Sequence, residues 1–404
     1  MNPTAIKPVL WHGFALLFSI RLKGAFKGFA AAHPGVVPMP AGESQAYSSS
    51  LGEVERRLLG QEVLGTRRIT RWPLGRITLG GLADAAPRHA DVYLLSHKSG
   101  VALWEAWLPG TEQSFDATRW IALLDPDADD GPIARLWRVL GEVNREITGK
   151  ATWSGLYVPL TLIRVVQQTT ASFVEQHGAD LVRLLLLDRS HRALKPEFVA
   201  QELARDYCVR QGGMTLLARR SGIDLRDGEE DTAAVHSSAG QPPQSALPFV
   251  ITLELLLVEH AVLQHLYDRL LRHMPKSVED LLVLKQEVTD GLEEYYGATT
   301  KATRFSDAVA ADGERLLGVE DIHDAVMERL EAVSFAITTR SQRQMTLLQF
   351  WLTIVFGASE IGFIAASIAT WHYRTELVAV LAWTIGATLV SGLGLALLLK
   401  GRTK

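Results

Sequence analysis

The stretch Met345–Trp371, MTLLQFWLTIVFGASEIGFIAASIATW, is a long apolar run, and Glu360 is its only charged residue. As an α-helix it would be about 40 Å long, which is enough to cross a hydrocarbon core of ~30 Å. A second apolar stretch, Leu377–Leu399, carries no charge and follows after the short link His372–Glu376. The two stretches predict an antiparallel transmembrane hairpin at residues 345–404, with a short tail after the second span.

Basic residues are distributed unevenly around this hairpin. The positive-inside rule places the side with more Lys and Arg in the cytoplasm. That side holds five of them, against Arg374 alone in the link: Arg340, Arg343, Lys400, Arg402 and Lys404. We therefore expect a multi-pass protein of the plasma (inner) membrane with both termini cytoplasmic. Trp371, His372 and Glu376 then lie at the outer end of the first span.

Polar residues recur along one side of the first span: Thr346, Gln349, Thr353, Glu360 and Ser367. Their spacing places all five on one side of a helix. A charged residue near the middle of a span is costly unless it faces water or other protein groups. One interpretation is a pore lined by this stripe, and it requires a homo-oligomer because two spans cannot enclose a pore. The alternative is that Glu360 is protonated or bonded to a neighbour and that the stripe serves only helix packing.

A helical stalk region, residues 247–344, is predicted before the hairpin. Leu247–His273 is expected to form a long amphipathic helix, and Val278–Tyr296 a second one. A third helix should run without a break over Gly318–Trp371, about 80 Å. Its apolar residues step by three and four at Val319, Ile322, Val326, Leu330, Val333 and Ile337.

An acidic face is predicted on the third stalk helix. Asp324, Glu328 and Glu331 lie on one side of it, close to the first span. Such a face is either a solvated helix surface or a site that concentrates cations by electrostatic attraction.

Residues 1–226 mix strand and helix patterns, and a linker at 227–246 is rich in Gly, Ser, Pro and acids. Val9–Ile20 is interpreted as a buried strand or helix, with a signal peptide as the alternative. We also expect a hairpin in which Val92–His97 and Val101–Leu108 are joined by a Lys98-Ser99-Gly100 turn. Two further strands are predicted at Arg68–Leu79 and Leu181–Leu187, and a helix at Pro132–Ile147. The predicted fold class is an α+β cytosolic domain followed by long stalk helices and two C-terminal transmembrane helices.

Composition and motifs exclude several functions. The net charge of -4, without a basic block, gives no reason to expect a nucleic-acid partner. A single cysteine, Cys208, excludes an intrachain disulfide and a cysteine-based zinc site. No phosphate-binding Gly-rich loop is present. The sequence from Asp125 imitates a calcium loop but lacks its Gly and Glu, and Asp188–His191 is interpreted as a polar turn rather than a catalytic cluster. We therefore expect no enzyme.

The order of these parts resembles the CorA superfamily of metal-ion transporters, and Phe363-Ile364-Ala365 is similar to the segment that leads into the family's outer motif. The resemblance implies a cytosolic α/β domain, a long stalk helix that becomes the first span, and pentamers in which this span lines the pore. The family's Gly-Met-Asn motif is absent, and Ala369-Thr370-Trp371 stands in its place. The role of its Asn is therefore carried over to no residue here. The implied cargo is a divalent cation such as magnesium.

Three hypotheses follow. The first is a homo-oligomeric cation channel or transporter with a regulatory cytosolic domain. The second is a membrane effector or signalling protein, gated by a small molecule or protein that binds its cytosolic domain. The third treats the hairpin as an anchor for a cytosolic enzyme. Glu360 favours the first two, because a simple anchor has no use for a charge within the membrane.

Overall fold

A computed structural model describes residues 9–21, 69–79, 89–97, 100–127, 131–148, 156–165, 168–190, 192–227, 244–272, 279–280, 282–283, 304–372 and 377–402. Two compact units are formed within the chain. The first lies within Met1–His273 and Leu284–Glu328, and the second within Met274–Val283 and Arg329–Lys404. The first unit is called the α/β domain below.

The α/β domain is built on a seven-stranded sheet with the strand order β2-β3-β4-β1-β5-β7-β6. Neighbouring strands are antiparallel, except that β5 and β7 are parallel. The strands are β1 (Val9–Arg21), β2 (Ile69–Thr78), β3 (His89–His97), β4 (Val101–Ser114), β5 (Tyr157–Val165), β6 (Gly213–Ala218) and β7 (Ser221–Asp227).

The predicted hairpin is confirmed, because β3 and β4 are consecutive antiparallel neighbours. Gly100 closes it with a φ of 84°, a value that glycine adopts without strain, and donates its N–H to the His97 carbonyl at 3.1 Å. Lys98 and Ser99 lie outside the described residues. The strand predicted at Arg68–Leu79 is confirmed as β2.

The apolar run near the start of the chain forms β1, which lies between β4 and β5 in the sheet. The side chain of Leu17 on this strand is fully buried. Of the two forms expected for Val9–Ile20, a buried strand or a buried helix, the structure shows the strand.

The strand predicted at Leu181–Leu187 is wrong, because this run is the end of helix α3 (Thr170–Leu186). Its buried side chains follow helical spacing and continue a face that begins at Phe173: they are Leu181, Val182, Leu184 and Leu185. The run consists mainly of leucine, which favours a helix over a strand. A continuous apolar run does not by itself separate a buried strand from a buried helix face.

Helices α1 (Ala117–Leu123), α2 (Pro132–Thr148) and α3 cover one face of the sheet, and α4 (Pro196–Leu203) packs against α3. The shared core includes Trp104, Trp120, Leu136 and Phe173. The predicted helix Pro132–Ile147 is confirmed as α2.

Helix α5 (Leu247–Arg272) packs against β1 and β4, and α6 (Arg304–Leu317) packs on α5. The predicted extent of α5 is confirmed, but its first half is not amphipathic, since every residue from Phe249 to Glu259 is buried. This half of α5 is buried because other elements of the domain pack on several of its sides. Phe249 contacts Gly222 of β7, while Leu256 contacts Gly313 of α6.

Two predicted segments fall largely on residues that the structure does not describe. Of the linker predicted at 227–246, Asp227 is the last residue of β7 and Gln244–Ala246 form one turn of 3-10 helix, while residues 228–243 lie outside the described residues. Of the predicted helix Val278–Tyr296, only residues 279–280 and 282–283 are described.

The predicted continuous helix Gly318–Trp371 is confirmed as α7 (Val319–His372), which is 54 residues long. Gly318 separates it from α6 with a φ of 73°. Helix α8 (Leu377–Arg402) follows after residues 373–376, which are not described. The part of α7 from Arg329 onward and all of α8 belong to the second unit.

Candidate functional site

Three helices among the described residues are long and apolar enough to cross a membrane: α5, α7 and α8. Their surroundings differ. In α5, 78% of the apolar stretch is buried inside the protein, compared with 22% in α7 and 0% in α8. Large apolar side chains such as Trp351, Phe363 and Val378 are exposed on α7 and α8. These helices indicate a membrane protein, because such extended apolar surfaces are not left facing water.

Helix α7 contacts α8 through small residues. A Cβ atom added to Gly357 would lie 3.1 Å from Leu395 Cδ1, and one added to Gly392 would lie 3.4 Å from Ala358 Cβ. Gly362 contacts Thr388. Small side chains allow two helices in a membrane to approach closely. The face of α7 that contacts α8 therefore runs through Ile354, Ala358, Gly362 and Ala369, all of which are buried.

The predicted polar stripe lies on the opposite side of α7. At about 100° per residue, Glu360 is rotated by roughly 160–200° from Ala358 and Gly362, its neighbours two positions away on the α8-facing side. The structure brings all five predicted stripe residues onto this outward face, where each side chain is exposed: Thr346, Gln349, Thr353, Glu360 and Ser367. Helix α8 therefore does not cover the stripe.

The hydroxyl groups of the stripe use their hydrogens inside the helix. Thr346 donates to the Gln342 carbonyl and Thr353 to the Gln349 carbonyl, both at 2.8 Å. Ser367 donates in the same way to the Phe363 carbonyl at 2.9 Å. Since a hydroxyl has one hydrogen and two lone pairs, these groups present oxygen acceptors to their surroundings. Together with the Glu360 carboxyl, they form a surface suited to a cation.

No basic residue lies at the depth of Glu360, because neither Met345–Trp371 nor Leu377–Leu399 contains Lys or Arg. A carboxyl group within a membrane must be hydrated, protonated or paired. An ion pair with a basic residue of these two stretches is therefore excluded. If Glu360 is charged, its carboxylate must therefore contact water or a group from another chain.

Of the residues predicted at the outer end of the first span, Trp371 and His372 are the last two residues of α7. Trp371 is 76% exposed and His372 is exposed, whereas Glu376 lies outside the described residues. Trp371 follows Glu360 by three helical turns and therefore lies on the same side of α7.

The three residues predicted as an acidic face, Asp324, Glu328 and Glu331, are exposed on α7. One of them, Asp324, lies with its Oδ1 3.3 Å from His323 Nδ1. Among the residues that the structure describes, no group of three or more His, Cys, Asp or Glu side chains is placed to hold a metal ion.

Sequence reasoning missed a set of buried charges in the α/β domain. Arg164 Nη2 lies 3.2 Å from Asp224 Oδ2, and both side chains are almost completely buried. Arg226 contacts the other oxygen of Asp224 at 3.0 Å. On α5, burial and the nearby charge of Glu314 raise the pKa of the buried Glu259 to about 8. The sequence does contain one sign of a buried charge, which is a single charged residue inside an apolar run, such as Arg164 in Leu160–Val165.

The Asp188–His191 segment contains a polar turn, as expected. The Asp188 carboxylate accepts hydrogen bonds from the Ser190 N–H at 2.8 Å and from its hydroxyl at 2.9 Å. His191 lies outside the described residues. Both hydrogen bonds join residues of the same turn, so they hold the turn in place. The Ser190 hydroxyl is therefore used structurally.

Comparisons of this chain with protein-family models, with curated proteins and with solved structures find no match.

Proposed function

We propose that this protein is a homo-oligomeric cation channel or transporter, similar in organisation to the CorA superfamily. The observation that carries the proposal is the position of the polar stripe. It is exposed on the side of α7 that faces away from α8, and it includes Glu360. In this proposal α7 lines the pore and α8 lies on its outer side.

Two spans, α7 and α8, cross the membrane in this proposal. Helix α5 is long enough, but most of its apolar surface already packs inside the α/β domain, where it gains nothing from lipid. Lys and Arg flank the two spans on the side away from the link, which favours cytoplasmic termini in the plasma (inner) membrane. The α/β domain is then cytosolic.

The stripe also supports an oligomer. A single hairpin would expose Glu360 and three hydroxyl side chains to lipid, at a cost of several kcal/mol for the charge alone. Copies arranged with their stripes facing a common axis would surround these groups with water. Five copies follow from the resemblance to CorA transporters, and the exposed apolar side chains on α7 and α8 would then contact neighbouring copies or lipid.

The chemistry of the stripe favours cations. Its hydroxyl hydrogens are bonded within the helix, so oxygen lone pairs face outward beside a carboxyl group. Rings of acidic side chains and oxygen dipoles select cations in channels. A divalent cation such as magnesium is the cargo that the resemblance implies, and the exposed acids at Asp324, Glu328 and Glu331 would attract it electrostatically.

A second candidate function is a membrane effector whose cytosolic domain responds to a small ligand. The observation that favours it is a cleft in the α/β domain, between α1 and the end of α3, lined by charged side chains. Both candidates use the membrane hairpin. In the first the hairpin conducts cations, and in the second it responds to a ligand bound in the α/β domain.

The test uses full-length protein reconstituted into liposomes that contain a cation-sensitive dye. The transport proposal predicts cation entry that scales with the amount of protein and is absent from empty liposomes. Parallel measurements with Mg²⁺, Mn²⁺ and K⁺ would identify the preferred ion. Absence of flux for all three ions, from protein shown by light scattering to be a monodisperse oligomer, would reject transport as a constitutive activity and favour the effector.

A further inference from the structure

A cleft of about 250 Å³ lies on the α/β domain between α1 and the C-terminal end of α3. Its size is slightly below that of common small-molecule sites, so it suits a compact ligand. Its walls combine an apolar side from α1 with charged side chains from the end of α3 and the turn after it. The lining residues are Thr118, Ile121, Ala122, Asp125, Arg183, Asp188 and Arg189.

The chain fixes the shape of this cleft by the way α3 ends. Leu187 adopts a left-handed conformation with φ of 51°, and the Asp188 N–H donates to the Arg183 carbonyl at 2.9 Å. The Asp188 carboxylate then holds the backbone and hydroxyl of Ser190. Because these bonds fix the turn, Arg189 is presented at the edge of the cleft.

Arg183 contributes a positive charge to the wall of the cleft. Its Nη2 donates to the Ser190 carbonyl at 3.2 Å, and its Nη1 lies 3.6 Å from Asp180. Its Nε is buried, and within the described part of the chain no acceptor is bonded to it. Because Nε has almost no exposed surface, an anion in the cleft can reach only the exposed part of the Arg183 side chain, which is 17% exposed overall.

Arg189 is held at the mouth by an ion pair that can be exchanged. Its Nη2 lies 2.6 Å from Asp125 Oδ1, and its side chain is 62% exposed. Asp125 is only 12% exposed, but the mostly exposed guanidinium of Arg189 is screened by solvent, which weakens the pair. An anion entering the cleft can therefore take the place of Asp125, which keeps the bond from the Asp127 N–H at 3.0 Å.

From these contacts we propose that the cleft binds a small molecule with an oxyanion, a carboxylate or phosphate, on a compact apolar body. The oxyanion accepts hydrogen bonds from the guanidinium groups of Arg183 and Arg189, the side chain that binds carboxylates and phosphates most strongly. The apolar body rests against Ile121 and Ala122 of α1. This binding site involves the α/β domain alone and does not rest on cation transport.

Calorimetric titration of the full-length protein in detergent tests the proposal with three probes: benzoate, phenyl phosphate and uncharged phenol. Saturable binding of benzoate or phenyl phosphate is expected at millimolar concentration, and the stronger of the two identifies the oxyanion. Phenol should bind much more weakly. Equal binding of phenol, or no binding of either anion, would overturn the proposal.

Variants test the named contacts. Arg183→Lys keeps the charge but removes the forked donors of the guanidinium, so binding should weaken by about tenfold. Arg189→Gln should weaken it similarly, whereas Arg192→Gln, a matched charge change outside the cleft, should leave it unchanged. Asp125→Asn removes the competing carboxylate and should strengthen binding, an effect that general destabilisation of the domain would not produce. Weaker or unchanged binding in Asp125→Asn would contradict the exchange of partners at Arg189.

Discussion

Gly362 of α7 lies against Thr388 of α8 so closely that a side-chain carbon in place of the glycine hydrogen would overlap the threonine hydroxyl. That hydroxyl is itself fixed, because it donates to the Thr384 carbonyl at 2.8 Å. The contact sets how near the two helices approach each other. It also fixes which side of α7 faces α8 and, as a consequence, which side carries the polar stripe outward.

Replacing this glycine should therefore destabilise the hairpin. Gly362→Ala is expected to cost about 1–3 kcal/mol through overpacking, measured as a lower midpoint of thermal unfolding in detergent. Thr388→Ala added to Gly362→Ala should restore most of the loss, because it removes the overlapping hydroxyl. Gly386→Ala is the control, since nothing lies within 4 Å of a Cβ at that position. Equal destabilisation by both alanines would argue against a specific contact at Gly362.

Stability of the α/β domain should depend on pH through Glu259. Burial raises the pKa of this carboxyl from 4.5 to about 8 in the folded state. Between these values the folded protein holds a proton that the unfolded chain has lost, so this group's contribution to stability falls as pH rises toward 8 and is then constant. Glu259→Gln removes this dependence.

The measurement is denaturant unfolding of both proteins across this pH range. The stability of Glu259→Gln relative to the original protein should increase steadily from pH 5 to pH 8. Taking the difference between the two proteins cancels opposing contributions from groups such as His260, whose pKa burial lowers. A difference that does not change with pH would show that Glu259 is ionised in the folded protein.

Topology can be tested with single cysteines, because the chain has only Cys208. In a Cys208→Ser background, a Thr375→Cys variant should react with an impermeant thiol reagent applied to intact cells. Thr403→Cys should react only after the membrane is permeabilised, because the basic residues near it favour a cytoplasmic position. The reverse labelling pattern would overturn the proposed orientation.

Much of the fold was predictable because the pattern was local. The hairpin of β3 and β4 depends on two adjacent apolar runs with a Gly at the turn, and α7 on an apolar period that no Pro or Gly interrupts before the first span. The error at Leu181–Leu187 arose because a leucine run has no period from which strand and helix can be separated. The all-round burial of α5 depends on α6 and β7 lying on different sides of it.

The candidate sites were predictable to different degrees. The spacing of Thr346, Thr353, Glu360 and Ser367 is a property of one helix, so their common side follows from sequence. That this side faces away from α8 depends on contacts such as Gly362 with Thr388, which pair residues of different helices. The cleft was not predictable, because Asp125 and Arg189 meet only through the packing of α1 against α3.

Glu360 is the residue on which the pore proposal depends most directly. If the copies of Glu360 form a ring around a wet pore, their charge concentrates cations. Glu360→Gln keeps the shape of the side chain and removes the charge. We expect cation flux into liposomes to fall by about tenfold, equivalent to ~1.4 kcal/mol in the barrier, while the oligomer remains intact by light scattering. Glu360→Lys should reduce the flux further, because a ring of positive charge repels cations.

The control for these variants is Glu175→Gln, the same chemical change at an exposed position on α3, which should leave flux unaltered. The competing account treats Glu360 as a protonated acid within a helix contact. Gln would then replace a neutral group of similar size, so flux would persist. Any effect of the substitution would be a loss of stability, measured as a lower unfolding temperature. Flux and ion preference equal to those of the original protein, in a correctly assembled Glu360→Gln variant, would therefore remove Glu360 from the pore. The stripe would in that case be a packing surface between copies, because α8 does not cover it.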